Sequence, residues 1–146
     1  MTLDEIQEEI IAEFEDYGDW MEKYNYLIDL SKDLAPLDVK YKVPENVIHG
    51  CQSRVWLVAD VVEGKLVFKA DSDAIITKGI VALLIRVLSE RTPEEVMNAD
   101  LYFIDQIGLR QNLSPTRSNG LLSMIKQMKL YALAYHTKLS GIQNKD

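Results

Sequence analysis

The spacing of apolar residues along the chain predicts helices at both ends and a β-hairpin between them. Leu3, Ile6, Ile10 and Phe14 recur at the three- and four-residue intervals of one helical face. Thr2-Leu3-Asp4-Glu5 reads as a capping box, in which the Thr2 hydroxyl and the Glu5 carboxylate satisfy free backbone N–H groups. Gly18 ends that run. Asp19-Trp20-Met21-Glu22 opens a second helix that carries Trp20, Tyr24, Leu27 and Leu30 inward. The two helices are expected to pack as a short-looped pair. Pro36 and Pro44 bracket a stretch unsuited to regular helix, because each fixes φ and lacks an N–H.

From residue 54 to 62 the period changes to two. Val55, Leu57, Ala59 and Val61 fall on one face, and Arg54, Trp56, Val58 and Asp60 on the other. Glu63-Gly64 is the expected turn and 65–70 the returning strand. Asp71-Ser72-Asp73 is expected to cap the next helix. Ile75, Ile76, Ile80, Val81, Leu83, Leu84, Val87 and Leu88 make that helix apolar on most sides, which suits the buried centre of a fold. Thr92 and Pro93 begin a short helix as its cap and first residue.

Leu101 to Ile104 fits either a strand or a helical turn. Residues 108–120 hold Ser114-Pro115-Thr116-Arg117-Ser118-Asn119-Gly120 and read mostly as loop. A last long helix follows, for which Ser114-Pro115 is a common start signal and Thr116 or Ser118 the expected cap, with Leu121, Leu122, Ile125, Met128, Leu130, Leu133 and Ala134 partly buried. The polar tail from Ser140 is expected to fray. The fold class is therefore α+β, a small antiparallel hairpin packed against several helices.

Composition narrows the function classes. The chain has 146 residues, 47% apolar and 27% charged, which suits one domain over 1–146 with a real core. No apolar run reaches the roughly 20 residues of a membrane span. The acidic N-terminus lacks the basic start of a secretory signal. A net charge of −7 argues against nucleic acid as the main partner, since neutralising phosphates needs a basic surface. The charge is also uneven: residues 1–20 carry eight acids and no Lys or Arg, whereas 106–146 carry six bases and one acid. Two solvated helix faces that attract each other would explain this, as would a docking field for a partner protein.

Cys51 is the chain's one cysteine, so an intramolecular disulfide is excluded and a reducing cytoplasm is the default setting. A lone cysteine is most often a small core hydrophobe. Here it follows Gly50, at the end of a loop from Pro44, and precedes polar Gln52 and Ser53. Glycine permits a turn that would present the sulfur at a loop tip. Metal sites need three or four ligands, and one Cys with His49 and His136 is a thin supply. A small thiol enzyme, a hydrolase or peroxidase with a histidine base, is the alternative. Sulfur relay needs one cysteine only: a thiolate takes the outer sulfur of a donor persulfide, by the chemistry of thiol–disulfide exchange. Arg54 or Arg117 would lower the thiol pKa if close, and Val47 and Ile48 would line an apolar shelter.

The run Gly50-Cys51-Gln52-Ser53-Arg54-Val55-Trp56 and the later run Leu113 to Leu121 together strongly resemble the SufE family. Asp71-Ser72-Asp73-Ala74 with Lys78-Gly79, and Trp20 with Lys23-Tyr24, follow that family's pattern in the same order, and the likeness spans roughly residues 5–139. The resemblance implies the α+β fold shared with IscU-type scaffolds and places the sulfur-accepting cysteine on Cys51. It implies a PLP-dependent, SufS-type cysteine desulfurase as donor, whose turnover the protein stimulates, and the SufBCD scaffold of iron–sulfur assembly as acceptor. PLP belongs to that partner, and no cofactor is implied here beyond the transient persulfide. CsdE-type proteins share these blocks, so the exact desulfurase stays open, as does a homodimer. His49, Gly50, Gln52, Arg54, Asp73 and Arg117 are the residues expected to support the thiolate or meet the partner.

Overall fold

The computed structural model describes residues 1–143, with side chains through Leu139. The element order is α1 (Leu3–Glu15), α2 (Trp20–Leu30), β1 (Val55–Val62), β2 (Lys65–Ser72), α3 (Ile75–Leu88), α4 (Pro93–Met97), α5 (Phe103–Gln106), α6 (Leu109–Asn112) and α7 (Pro115–Gln143). Between α2 and β1 the chain makes three single turns of 3₁₀ helix, at Ser31–Asp33, Val39–Tyr41 and Pro44–Asn46. The two prolines thus exclude α-helix there, as their chemistry requires. No described helix is long and apolar enough to cross a membrane.

The N-terminal half follows its local signals. The Thr2/Glu5 capping box of α1 is formed in both directions. Asp19 caps α2 by accepting from the Glu22 N–H, while the Glu22 carboxylate reaches past it to the Gly18 N–H. Phe14 and Tyr26 meet edge to face at 5.1 Å between ring centroids, and both helices also rest on α3. The α1–α3 contact includes the Arg86 guanidinium between the Glu9 and Glu13 carboxylates. Among the described residues no ion pair joins the acidic N-terminus to the basic C-terminal stretch; the acids of α1 answer to α3 instead.

The hairpin pairs Val55 with Ser72 through Val62 with Lys65. Glu63 and Gly64, at φ 53° and 79°, form the two-residue turn with both residues left-handed, the geometry whose twist matches that of the strands. Leu57, Leu66, Phe68 and Ala70 face the core. β2 runs two residues further than its apolar pattern suggests. Asp71 is the reason: its carboxylate accepts from Lys42 Nζ at 2.9 Å and Lys78 Nζ at 3.3 Å, so a charged residue is held at a buried strand end. The cap expected from residues 71–73 is absent as such. Ala74 is the N-cap of α3 without a side-chain bond.

Helix α3 is the centre, with Ile76, Ile80, Leu83, Leu84, Val87 and Leu88 buried. Gly79 lets α2 cross it at close range: a Cβ there would stand 2.1 Å from the Leu27 carbonyl oxygen. Leu101 to Ile104 is helical in its second half, with Phe103 N–H donating to the buried Gln7 amide oxygen.

The largest departure lies at residues 108–120. The expected loop is largely helix, α6 and the first turns of α7. Ser114, not Thr116 or Ser118, caps α7, accepting from the Arg117 N–H at 3.3 Å. On α7 the buried stripe is Leu121, Met124, Met128 and Ala132, whereas Leu122, Leu130 and Leu133 are each nearly half exposed. The helical backbone continues through residues 140–143, where the polar composition predicts fraying; 144–146 lie outside the described residues.

Candidate functional site

Cys51 sits in a loop closed at both ends by backbone bonds. At the entry, Ile48 N–H donates to the Val55 carbonyl at 2.9 Å. At the exit, the Arg54 carbonyl accepts from Asp73 N–H and from the Ser72 hydroxyl, and Arg54 N–H donates to the Asp73 carboxylate at 3.0 Å. Asp73 therefore pins the loop and does not cap a helix. Between these pins, Gly50 takes φ 93°, and a Cβ on it would stand 2.5 Å from the Ser123 hydroxyl on α7. The left-handed backbone is what favours glycine at that point, since the Ser123 hydroxyl can rotate away.

The turn at Gly50 places Cys51 against α7, half-buried and not at an exposed tip. Its thiol donates to the Gly120 carbonyl oxygen at 3.6 Å. Such a carbonyl is ordinarily committed to the helix, and here it also receives the thiol. The shelter comes from Ile80 of α3 and Met124 of α7, which line the same small cleft as Thr77, Gln52 and Arg117. Val47 and Ile48 do not supply it. Val47 bridges to Trp56, and Ile48 is buried in the main core.

Burial pushes the Cys51 thiol above its ordinary pKa. Donation to a carbonyl oxygen also suits the protonated form, since a thiolate has no hydrogen to give. The lowering expected from an arginine is not found. Arg54 is exposed and serves through its backbone, and Arg117 Nη1 donates to the Tyr24 hydroxyl at 3.4 Å. At rest the sulfur is therefore a neutral, protected thiol.

The structure brings together Cys51, Gln52 and Arg117 at the cleft and leaves the other predicted residues outside it. His49 is exposed and has no bond to the thiol among the described residues. His136 stands sixteen residues beyond Gly120 on the same helix, about 24 Å away at 1.5 Å per residue. His136 is thus too far away to act as a base for Cys51. Two residues of the site escape a reading of the sequence. Tyr24 reads there as a core aromatic, and Thr77 as one more position in an apolar helix; its one signal is a hydroxyl between Ile76 and Lys78.

The cleft measures about 60 Å³. That exceeds the roughly 10–15 Å³ needed to admit one water-sized particle. It falls far short of the roughly 300 Å³ at which small-molecule sites begin. An added atom fits beside the sulfur; an organic substrate does not.

These features define an α+β protein built around one sheltered thiol. Residues 8–132 match the family model SufE, Fe-S metabolism associated domain. The chain belongs to the SufE family. It is 41% identical over 135 residues to SufE-like protein 1, chloroplastic/mitochondrial, of Arabidopsis thaliana; the alignment takes in 92% of this chain and 36% of that one. The chain thus spans about a third of the length of this curated relative. The solution structure of a hypothetical protein from Thermus thermophilus superposes with a TM-score of 0.74 at 21% identity, over 90% of this chain and 96% of the other, and shares the fold.

Proposed function

We propose that the protein is a sulfur carrier that accepts sulfane sulfur on Cys51 from a PLP-dependent cysteine desulfurase. The observation that carries this reading is a family member's lone thiol beside a cleft with room for an added atom and far below the size of a small-molecule site. The Cys51 thiolate attacks the outer sulfur of the donor's persulfide. The donor's S–S bond breaks, its thiol leaves, and Cys51 holds the sulfane sulfur as Cys–S–SH with no net oxidant consumed. A SufBCD-type scaffold is the acceptor on this reading, and PLP stays with the desulfurase. The protein is then an activating partner of an enzyme rather than an enzyme.

The resting geometry supports the direction of this traffic. A buried thiol held on a carbonyl oxygen is a poor nucleophile, so free protein resists stray oxidants. Docking of the donor must draw Cys51 off α7 and expose it to a setting that favours the thiolate. Arg117, exposed at the mouth of the cleft, is the residue we assign to the partner surface, with Gln52 beside it. A reducing compartment, such as the cytoplasm, suits an unpaired thiol. The peroxidase or hydrolase alternative asks for a ready thiolate and a base, and the site offers neither.

Incubation with a cysteine desulfurase, PLP and cysteine, followed by intact mass measurement, tests the proposal. The expected product is heavier by about 32 Da, one sulfur, reverts on reduction, and is absent for Cys51→Ser. A thiol that reacts with peroxide or an ester but takes no sulfur from any desulfurase would overturn it.

A further inference from the structure

Thr77 lies on α3 with more than nine-tenths of its surface buried. Its hydroxyl makes no hydrogen bond among the described residues, although a threonine within a helix commonly returns its hydroxyl to the carbonyl one turn back. It lines the cleft that holds Cys51. The hydroxyl is not among the enclosed side-chain atoms left without a partner, so it keeps open space beside it, and the cleft is the space that this otherwise buried residue borders.

The relay reading, on which this inference rests, says what arrives. The terminal sulfur of a persulfide ionises more readily than a thiol, so the loaded site must accommodate an anion where the resting site held a neutral group. Burial penalises that charge unless a donor meets it. The Gly120 carbonyl, which serves the resting thiol, is an acceptor and cannot help. Arg117 directs Nη1 to Tyr24 at the exposed mouth. Gln52 and Thr116 in the lining are exposed and Ser53 is half-buried, whereas Thr77 is the most buried side-chain donor that borders the cleft. We propose that Thr77 seats the carried sulfur, its hydroxyl donating a hydrogen bond to the terminal sulfur of the Cys51 persulfide. Thr77 is a positioning residue: it takes no part in making or breaking the S–S bond.

The test loads Cys51 with inorganic polysulfide, so that it reads the cleft whether or not a desulfurase loads it. In that loading the thiolate attacks a chain sulfur, and the rest of the polysulfide leaves as a shorter anion. The rate of alkylation by iodoacetamide is then followed against pH for the persulfide and, separately, for the unloaded thiol. For Thr77→Val the persulfide midpoint is expected to rise by about one pH unit, a tenfold change in ionisation. The thiol midpoint stays unchanged, and Thr77→Ser restores the original persulfide midpoint. Thr77→Ala gives the same reading as valine by removing the hydroxyl without filling the space. An unchanged persulfide midpoint in either variant overturns the assignment. Equal movement of the thiol and persulfide midpoints overturns it too, since that marks a general change of packing. Failure of a desulfurase to load the wild-type protein would count against the relay and leave the polysulfide result to judge Thr77.

Discussion

Two helical glycines on this chain face a neighbour, and the space in front of them differs. A Cβ at Gly79 would lie 2.1 Å from the Leu27 carbonyl oxygen, inside any tolerable contact. A Cβ at Gly120 would lie 3.6 Å from Cys51 Sγ and 3.8 Å from the Cys51 Cα and Cβ, which is ordinary van der Waals distance. The α2–α3 crossing requires its glycine for the fold to close. The α7 wall of the thiol cleft does not, because the resting cysteine would fit against an alanine. Glycine at 120 leaves room that the resting state does not fill, on the side of the fold where the proposed cargo would sit. Tight packing at one helix holds the molecule together, and slack at the other is where the relay reading would seat its cargo.

Gly79→Ala tests the tight side and carries the largest expected effect. Alanine gains roughly 1 kcal/mol over glycine inside a helix by propensity. Here that gain is overwhelmed, because the clash is with backbone and α2 must shift as a body. Overpacking of this kind costs about 3 kcal/mol or more. Urea unfolding should show the midpoint falling steeply. A variant as stable as wild type would break the comparison, since it would mean the crossing also has slack.

The second test asks whether the tight side and the thiol loop are one cooperative unit. Asp71, at the end of β2, ties Lys42 ahead of the loop to Lys78 beside Gly79. Burial is the largest single influence and favours its neutral form, but Lys42, the backbone N–H of Ser72 and Lys78 together outweigh it and hold its carboxyl below the usual range. The unfolded value is about 3.9. A carboxyl whose pKa is lower in the folded state contributes stability that is complete above about pH 4 to 5 and is lost as pH falls through the folded value. Both lysines are a third exposed, so the contribution is on the order of 1–2 kcal/mol rather than the roughly 3–5 of a fully buried pair. Asp71→Asn should lose that amount at pH 7, and its stability should vary less than wild type's between pH 5 and pH 2. Equal acid sensitivity in the two proteins would remove Asp71 from the account.

The same contrast explains what is legible in the sequence. The capping boxes at Thr2 and Thr92, the hairpin turn at Glu63-Gly64 and the all-round apolar helix Ile75–Leu88 can be read there, because each is decided within a few residues or by a strong period. The wall of the site cannot. Ser114-Pro115 carries a helix start signal, but Ser114 to Gly120 has the composition of a loop; it folds as helix because the Ser114 cap starts α7 and Cys51 packs against the glycine that would otherwise weaken it. Asp73 has the spacing of a helix cap and instead binds Arg54 across the loop, a partner nineteen residues away that no local pattern announces. Cys51 itself is legible as the one thiol. Its shelter is not the neighbouring Val47 and Ile48 that the sequence suggests, since only the tertiary arrangement brings Ile80 and Met124 to it.

Gly120→Ala is the smallest change and the most discriminating. With no clash to oppose it, alanine should keep its helical advantage, and stability should rise by about 0.5–1 kcal/mol. In thermal unfolding this is a shift of roughly 3 °C upward. The added methyl occupies part of a cleft of about 60 Å³ beside the sulfur, so the cost falls on the loaded form alone. The persulfide of the variant should be lost to a phosphine reductant severalfold faster than that of wild type, while the resting thiol alkylates at the wild-type rate. A more stable protein that holds its sulfur less well would show that the slack at α7 serves the cargo and not the fold. A variant that is both more stable and equally retentive would place the carried sulfur elsewhere, on the far side of Cys51 from α7.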